Sequence, residues 1–109
     1  MRVLKFGGTS VGSVESLGHV CEIVARAAPC AVVVSALSQV TDGLLGLAHR
    51  AAGSGRVDDA ALDALIRRHH ETARAVVSPD ELDAVLAEID AELSRFAEVV
   101  RGIALVGEA

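Results

Sequence analysis

Aromatic residues are nearly absent from this sequence. Phe6 and Phe96 make up 2% of its 109 residues, with no Trp and no Tyr. Binders of single-stranded nucleic acid stack bases on aromatic faces, so that class is disfavoured. Positive charge is also scarce: 10 Lys and Arg against 15 Asp and Glu leave a formal net charge of -5. An acidic chain of this kind is a poor partner for a phosphate backbone, and no nucleic-acid partner is expected. No apolar run approaches the roughly 18–20 residues that span a bilayer. Lys5 and the glycine pair at 7–8 interrupt the first apolar stretch, which excludes a signal peptide there. No membrane partner is therefore expected. Cysteine is confined to Cys21 and Cys30. A zinc site would need a tighter pair and further ligands, so the expectation is two reduced core thiols in a cytoplasmic protein and no metal site. Lysine is scarcest of all. Lys5 is the single lysine in a chain that otherwise uses arginine. An ammonium is a compact point charge and a guanidinium a planar fork, so the exception suggests a need for the former.

What is present is hydrophobic. Apolar residues account for 51% and charged residues for 23%, a globular balance that rules out disorder. The length suits one small domain or part of a larger one. Arg2 to Phe6 reads as a short β-strand ended by Gly7-Gly8. Thr9, Ser10 and Ser13 are helix N-cap candidates. Apolar positions at Val14, Leu17, Val20, Cys21, Val24 and Ala28 then recur at helical spacing, until Pro29. Ala31 to Val34 is an unbroken apolar run, the signature of a buried parallel strand. Strand, Gly-rich turn, helix and strand compose a βαβ unit. Beyond Ser38 the pattern is helical: 41–52, a Gly-Ser-Gly turn at 53–55, then 58–77. The last helix follows a capping box at Ser78, Pro79 and Glu81. It carries Leu82, Val85, Leu86, Ile89, Leu93, Phe96 and Val100 on one face, with Gly102 as its expected C′ residue. The last residues, 103–109, suggest no element. The layout is α/β and lopsided, because two parallel strands make an incomplete sheet.

Two segments could carry chemistry. In Lys5-Phe6-Gly7-Gly8-Thr9-Ser10 a strand runs through two glycines towards a helix. Glycines let a phosphate approach backbone N–H groups, the helix start adds a positive dipole end, and Lys5 adds a cation. Those are the parts that phosphoryl transfer requires. The segment is neither a Walker A motif nor a GxGxxG fingerprint. A tight βα turn without function explains the glycines equally well. In 35–42, Ser35 follows the second strand at the edge where ligands bind in open α/β sheets; alternatively Ser38 or Thr41 simply caps the next helix. His69 and His70 diverge by about 100° on a helix and do not converge on an ion. Glu88, Asp90 and Glu92 read as the wet side of the last helix.

RVLKFGGTSVGSVESL and VVVSALSQVTDGLL closely resemble the start of aspartate kinases of the amino acid kinase family. The resemblance extends over essentially the whole chain and includes the long type fused to homoserine dehydrogenase. It implies a three-layer αβα domain, of which residues 1–109 would be an N-terminal part truncated on its C-terminal side. It implies transfer of the ATP γ-phosphate, with Mg²⁺, to the side-chain carboxylate of L-aspartate, on the route to lysine, threonine and methionine. The parent would be a cytoplasmic homo-oligomer. By the family pattern Lys5 stabilises the transferring phosphate, and Gly7, Gly8, Thr9 and Ser10 line the phosphates. Ser35 and Thr41 lie at the aspartate. Gly107-Glu108 looks like the family's Gly-Glu pair but falls in an earlier segment, so Glu108 is given no role. The 109 residues alone are expected to be inactive and to expose an apolar sheet edge. The alternatives are a family member acting on glutamate, carbamate or a nucleotide, and a non-catalytic interaction or regulatory remnant.

Overall fold

The computed structural model describes residues 1–7 and 11–108. Their order is β1 (Arg2–Phe6), α1 (Val14–Ala27), β2 (Cys30–Val34), α2 (Val40–Ser54), α3 (Asp59–Val76) and α4 (Pro79–Glu108). The chain divides into two compact units, Met1–Thr41 and Asp42–Ala109.

In the first unit β1 and β2 pair in parallel, Arg2 opposite Cys30 and Phe6 opposite Val34. The α-helix α1 connects them and packs on both strands, so the expected βαβ unit is present. Ser13 caps α1: its hydroxyl accepts from the Ser16 N–H at 3.1 Å. Of the expected apolar stripe, Val20 is buried and Leu17 and Val24 are half-buried, whereas Val14 and Cys21 are exposed. A two-stranded sheet is narrow, and a residue 100° round the wheel from Val20 falls outside its cover. Cys21 is therefore a surface thiol and Cys30 a half-buried one, which corrects the expectation of two core thiols. The unbroken valine run of β2 is not buried on both faces either. Val33 and Val34 are 50% and 55% exposed, and Val3 on β1 is 70% exposed.

The second unit is helical. Leu47 of α2, Leu62 of α3 and Ala97 of α4 form one buried cluster; Ala51 of α2 with Val100 and Ala104 of α4 forms another. The pattern residues of α3 and α4 occupy the sides expected of them, with Leu62, Ala73 and Val100 buried. His69 and His70 diverge as expected. His69 Nδ1 donates to the Leu65 carbonyl at 2.8 Å, while His70 Nε2 meets Asp90 Oδ1 of α4 at 2.5 Å. Asp90 is on the wet side yet ties α4 to α3.

Two boundaries differ from expectation. The helix α2 runs through Gly53 and Ser54 and stops at Gly55, whose φ of 70° is the left-handed value glycine takes without strain. Gly102 does not end α4, which continues to Glu108. Glycine inside a helix costs roughly 1 kcal/mol. Burial of Ala104 and packing of Ile103 against the Ala51 and Val100 cluster offset it. Gly107 has a packing role of its own, since a Cβ there would lie 2.8 Å from the Ala52 carbonyl oxygen and 3.0 Å from that of Ala51. No helix among the described residues is long and apolar enough to cross a membrane.

Candidate functional site

All the sequence-derived site residues belong to the first unit. In a parallel pair both strands end at the same edge. The ladder continues one residue past the strands, where the Ser35 N–H donates to the Phe6 carbonyl at 3.1 Å. Gly7 and Ser35 are thereby brought side by side at the carboxyl ends of β1 and β2. Lys5 lies opposite Val33 in the register. Strand alternation puts Lys5 and Val33 on one face and Leu4 and Phe6 on the other. Leu4 and Phe6 are half-buried, and Lys5 is exposed. Among the described residues no carboxylate pairs with the Lys5 ammonium.

Gly7 stands in open space: a Cβ built on it would touch nothing within 4 Å. Packing among the described residues does not demand glycine at this position. Gly8, Thr9 and Ser10 lie outside the described residues. The chain returns at Val11, which is 2% exposed and donates its N–H to the Gly7 carbonyl at 3.3 Å. The helix α1 starts only at Val14, with Ser13 as cap, so this is a longer connection than a strand-glycine-helix turn. The Ser13 hydroxyl already holds one N–H of the first turn of α1.

On the other strand, the Ser35 hydroxyl donates to the Ala36 carbonyl at 3.0 Å and keeps its lone pairs for a donor. The segment then makes a four-residue turn in which the Val40 N–H donates to the Leu37 carbonyl at 3.0 Å. Val40 is buried, and Thr41 follows it in the first turn of α2, exposed. The structure thus brings Lys5, Gly7 and Ser35 to one edge and places Thr41 one short turn further along. Gln39, within this turn, has a φ of 67°. Reading the sequence alone did not single it out. The only signal was a polar residue just ahead of a helix that starts on a buried valine.

The electrostatics are simple. The edge carries one cation and, up to Thr41, no acidic side chain after β1 other than Glu15 and Glu22 on α1. Among the described residues no group of three or more His, Cys, Asp or Glu could hold a metal ion. An edge with an ammonium, an open glycine backbone and a hydroxyl suits a phosphate and a carboxylate better than a metal.

The Amino acid kinase family model matches residues 1–103. The chain belongs to the amino acid kinase family. The relatives it matches include aspartokinases, alone or fused to homoserine dehydrogenase. It is 35% identical over 109 residues to the chloroplastic bifunctional aspartokinase/homoserine dehydrogenase 1 of Arabidopsis thaliana, covering 98% of this chain and 12% of that protein. It is 36% identical over 107 residues to the corresponding bifunctional enzyme of Daucus carota, covering 96% and 12%. It is 46% identical over 70 residues to an aspartokinase of Chlamydia trachomatis, covering 64% and 15%. The chain therefore spans about an eighth of the length of the bifunctional enzymes it matches. An α/β arrangement with a two-stranded parallel sheet and four helices is consistent with a portion of an amino acid kinase domain.

Proposed function

We propose that this chain supplies the phosphate loop and part of the acceptor site of an aspartate kinase, with ATP as donor and L-aspartate as acceptor. The observation that carries the reading is the convergence of the unpaired, exposed Lys5 ammonium, the open Gly7 backbone and Ser35 at one strand edge. Its support from relatives lies in their names, which are those of aspartokinases. The surrounding domain would be the three-layer αβα fold, whose further strands would cover Val33 and Val34. The protein would act in the cytoplasm as a homo-oligomer.

In this reaction a β-carboxylate oxygen of aspartate forms a bond to the γ-phosphorus. The bond from that phosphorus to the β,γ-bridging oxygen breaks, and ADP leaves with the electron pair. The acceptor is already ionised, so no proton has to be removed from it. Catalysis then reduces to alignment and to neutralising charge on the transferring group. Lys5 would place its ammonium against that group. Gly7, with Gly8, Thr9 and Ser10, would give the phosphates backbone and hydroxyl donors. Ser35 and Thr41 would hold the aspartate. Mg²⁺ would enter with ATP.

Titration of the ¹⁵N-labelled chain with MgATP and, separately, with L-aspartate tests this. Nucleotide is expected to move the backbone amides of Lys5 and Gly7, and aspartate those of Ser35 and Thr41. Shifts elsewhere only, or a stronger response to L-glutamate, would overturn the assignment to aspartate.

A further inference from the structure

Gln39 is the only glutamine of the chain, and the chain has no asparagine. Its single side-chain carboxamide sits at the third position of the turn closed by Leu37 and Val40, with φ at 67°. That backbone region disfavours side chains bearing a Cβ, and turns needing it take glycine, or asparagine. Glycine would make this turn with less strain. The Gln39 side chain is exposed, and among the described residues nothing hydrogen-bonds its carboxamide. Its neighbour Val40 is buried and pins the turn, so the position of Gln39 is held by the fold. Between Ser35 and Thr41, it occupies the carboxyl edge of the sheet where α/β proteins take ligands.

We infer that Gln39 is a specificity-determining residue for the acceptor, its carboxamide donating an N–H to a carboxylate oxygen of L-aspartate. This rests on the aspartate reading above. A neutral donor suits the position. It grips a carboxylate without adding a second cation that would compete with Lys5 for phosphate, and its planar amide presents two N–H groups. Strain at a non-glycine residue beside a site is the kind of local cost that function accounts for and packing does not.

The lone carboxamide makes the test direct, because the full chain labelled with ¹⁵N contains one side-chain glutamine NH₂ pair and no other carboxamide. On titration with L-aspartate this pair is expected to shift saturably, with the same Kd as the Ser35 and Thr41 amides. The Gln39→Gly variant, whose backbone is at ease at this φ, should fold as before and bind L-aspartate about tenfold more weakly, the scale for one hydrogen bond to a charged group. Gln39→Asn tolerates the same φ and keeps the amide, and should recover part of the loss. If the Ser35 and Thr41 amides respond while the NH₂ pair stays still and Gln39→Gly keeps its Kd, the inference fails and the aspartate reading stands. If no amide at this edge responds to L-aspartate, the aspartate reading fails and takes the inference with it.

Discussion

Lys5 stands out in the composition and keeps that standing in the fold. It is the one lysine, it is exposed at the end of β1, and no carboxylate among the described residues neutralises it. On the aspartate kinase reading proposed above, Lys5→Arg in the full-length enzyme should lower kcat on the order of 10²-fold, the loss seen when a preorganised charge-stabilising group is removed. Aspartyl hydroxamate formation from ATP, aspartate and hydroxylamine measures it, and near-normal turnover would remove Lys5 from the reacting phosphate. Two other residues show how far sequence reading reaches. Gly107 looks like half of a catalytic Gly-Glu pair, yet its neighbours are the carbonyls of Ala51 and Ala52. Gly107→Ala should destabilise the chain by roughly 1–3 kcal/mol through overpacking against backbone that cannot step aside. Gln39 shows nothing unusual as a letter, because a positive φ is a property of the turn and not of the residue.

At the scale of elements, what was legible was periodicity. The faces of α3 and α4, the parallel strands, and the stop before Pro29 all follow from local spacing and from residues with restricted backbones. Ends were less legible where burial overrode a local preference. Gly102 carries a C′ signal, but Ile103 and Ala104 gain cover against Ala51 and Val100, and the helix continues. Since a Cβ on Gly102 would meet nothing within 4 Å, Gly102→Ala should stabilise α4 by about 0.5–1 kcal/mol. The two glycines of one helix are thus expected to respond to alanine with opposite signs, which urea denaturation of the two variants resolves. The cap at Ser13 is a second element-scale case. Its hydroxyl holds the Ser16 N–H, and Ser13→Ala should cost about 1 kcal/mol, read from the same denaturation curves.

The whole molecule is uneven. The second unit has a core in which Leu47 and Val100 are fully covered, and Leu47→Ala should cost about 2–5 kcal/mol in thermal or chemical unfolding. The first unit has two strands, one helix and valines left half in water. Amide hydrogen exchange should accordingly be faster in β1 and β2 than in the buried turns of α3 and α4, since opening follows local burial. Equal protection across both units would contradict that. Catalysis is a property of this scale too. The chain spans 12% of the length of the bifunctional relatives it matches, so the 109 residues by themselves are expected to form no aspartyl hydroxamate.

The sequence by itself determined the βαβ start, the helical remainder and the identity of the charged and glycine positions, because strand and helix periods and the Lys-Phe-Gly-Gly pattern are local. The tertiary structure decided which of those residues meet. Ser35 lies next to Gly7 because parallel pairing puts residues 28 positions apart at one edge, through the bond from Ser35 to Phe6. It also decided that Cys21 faces water, that α4 outruns its glycine, and that the single carboxamide of the chain sits on a turn with positive φ, close in sequence to Ser35 and Thr41. Each of these depends on what another segment covers, or leaves uncovered, and spacing along one segment does not contain that information.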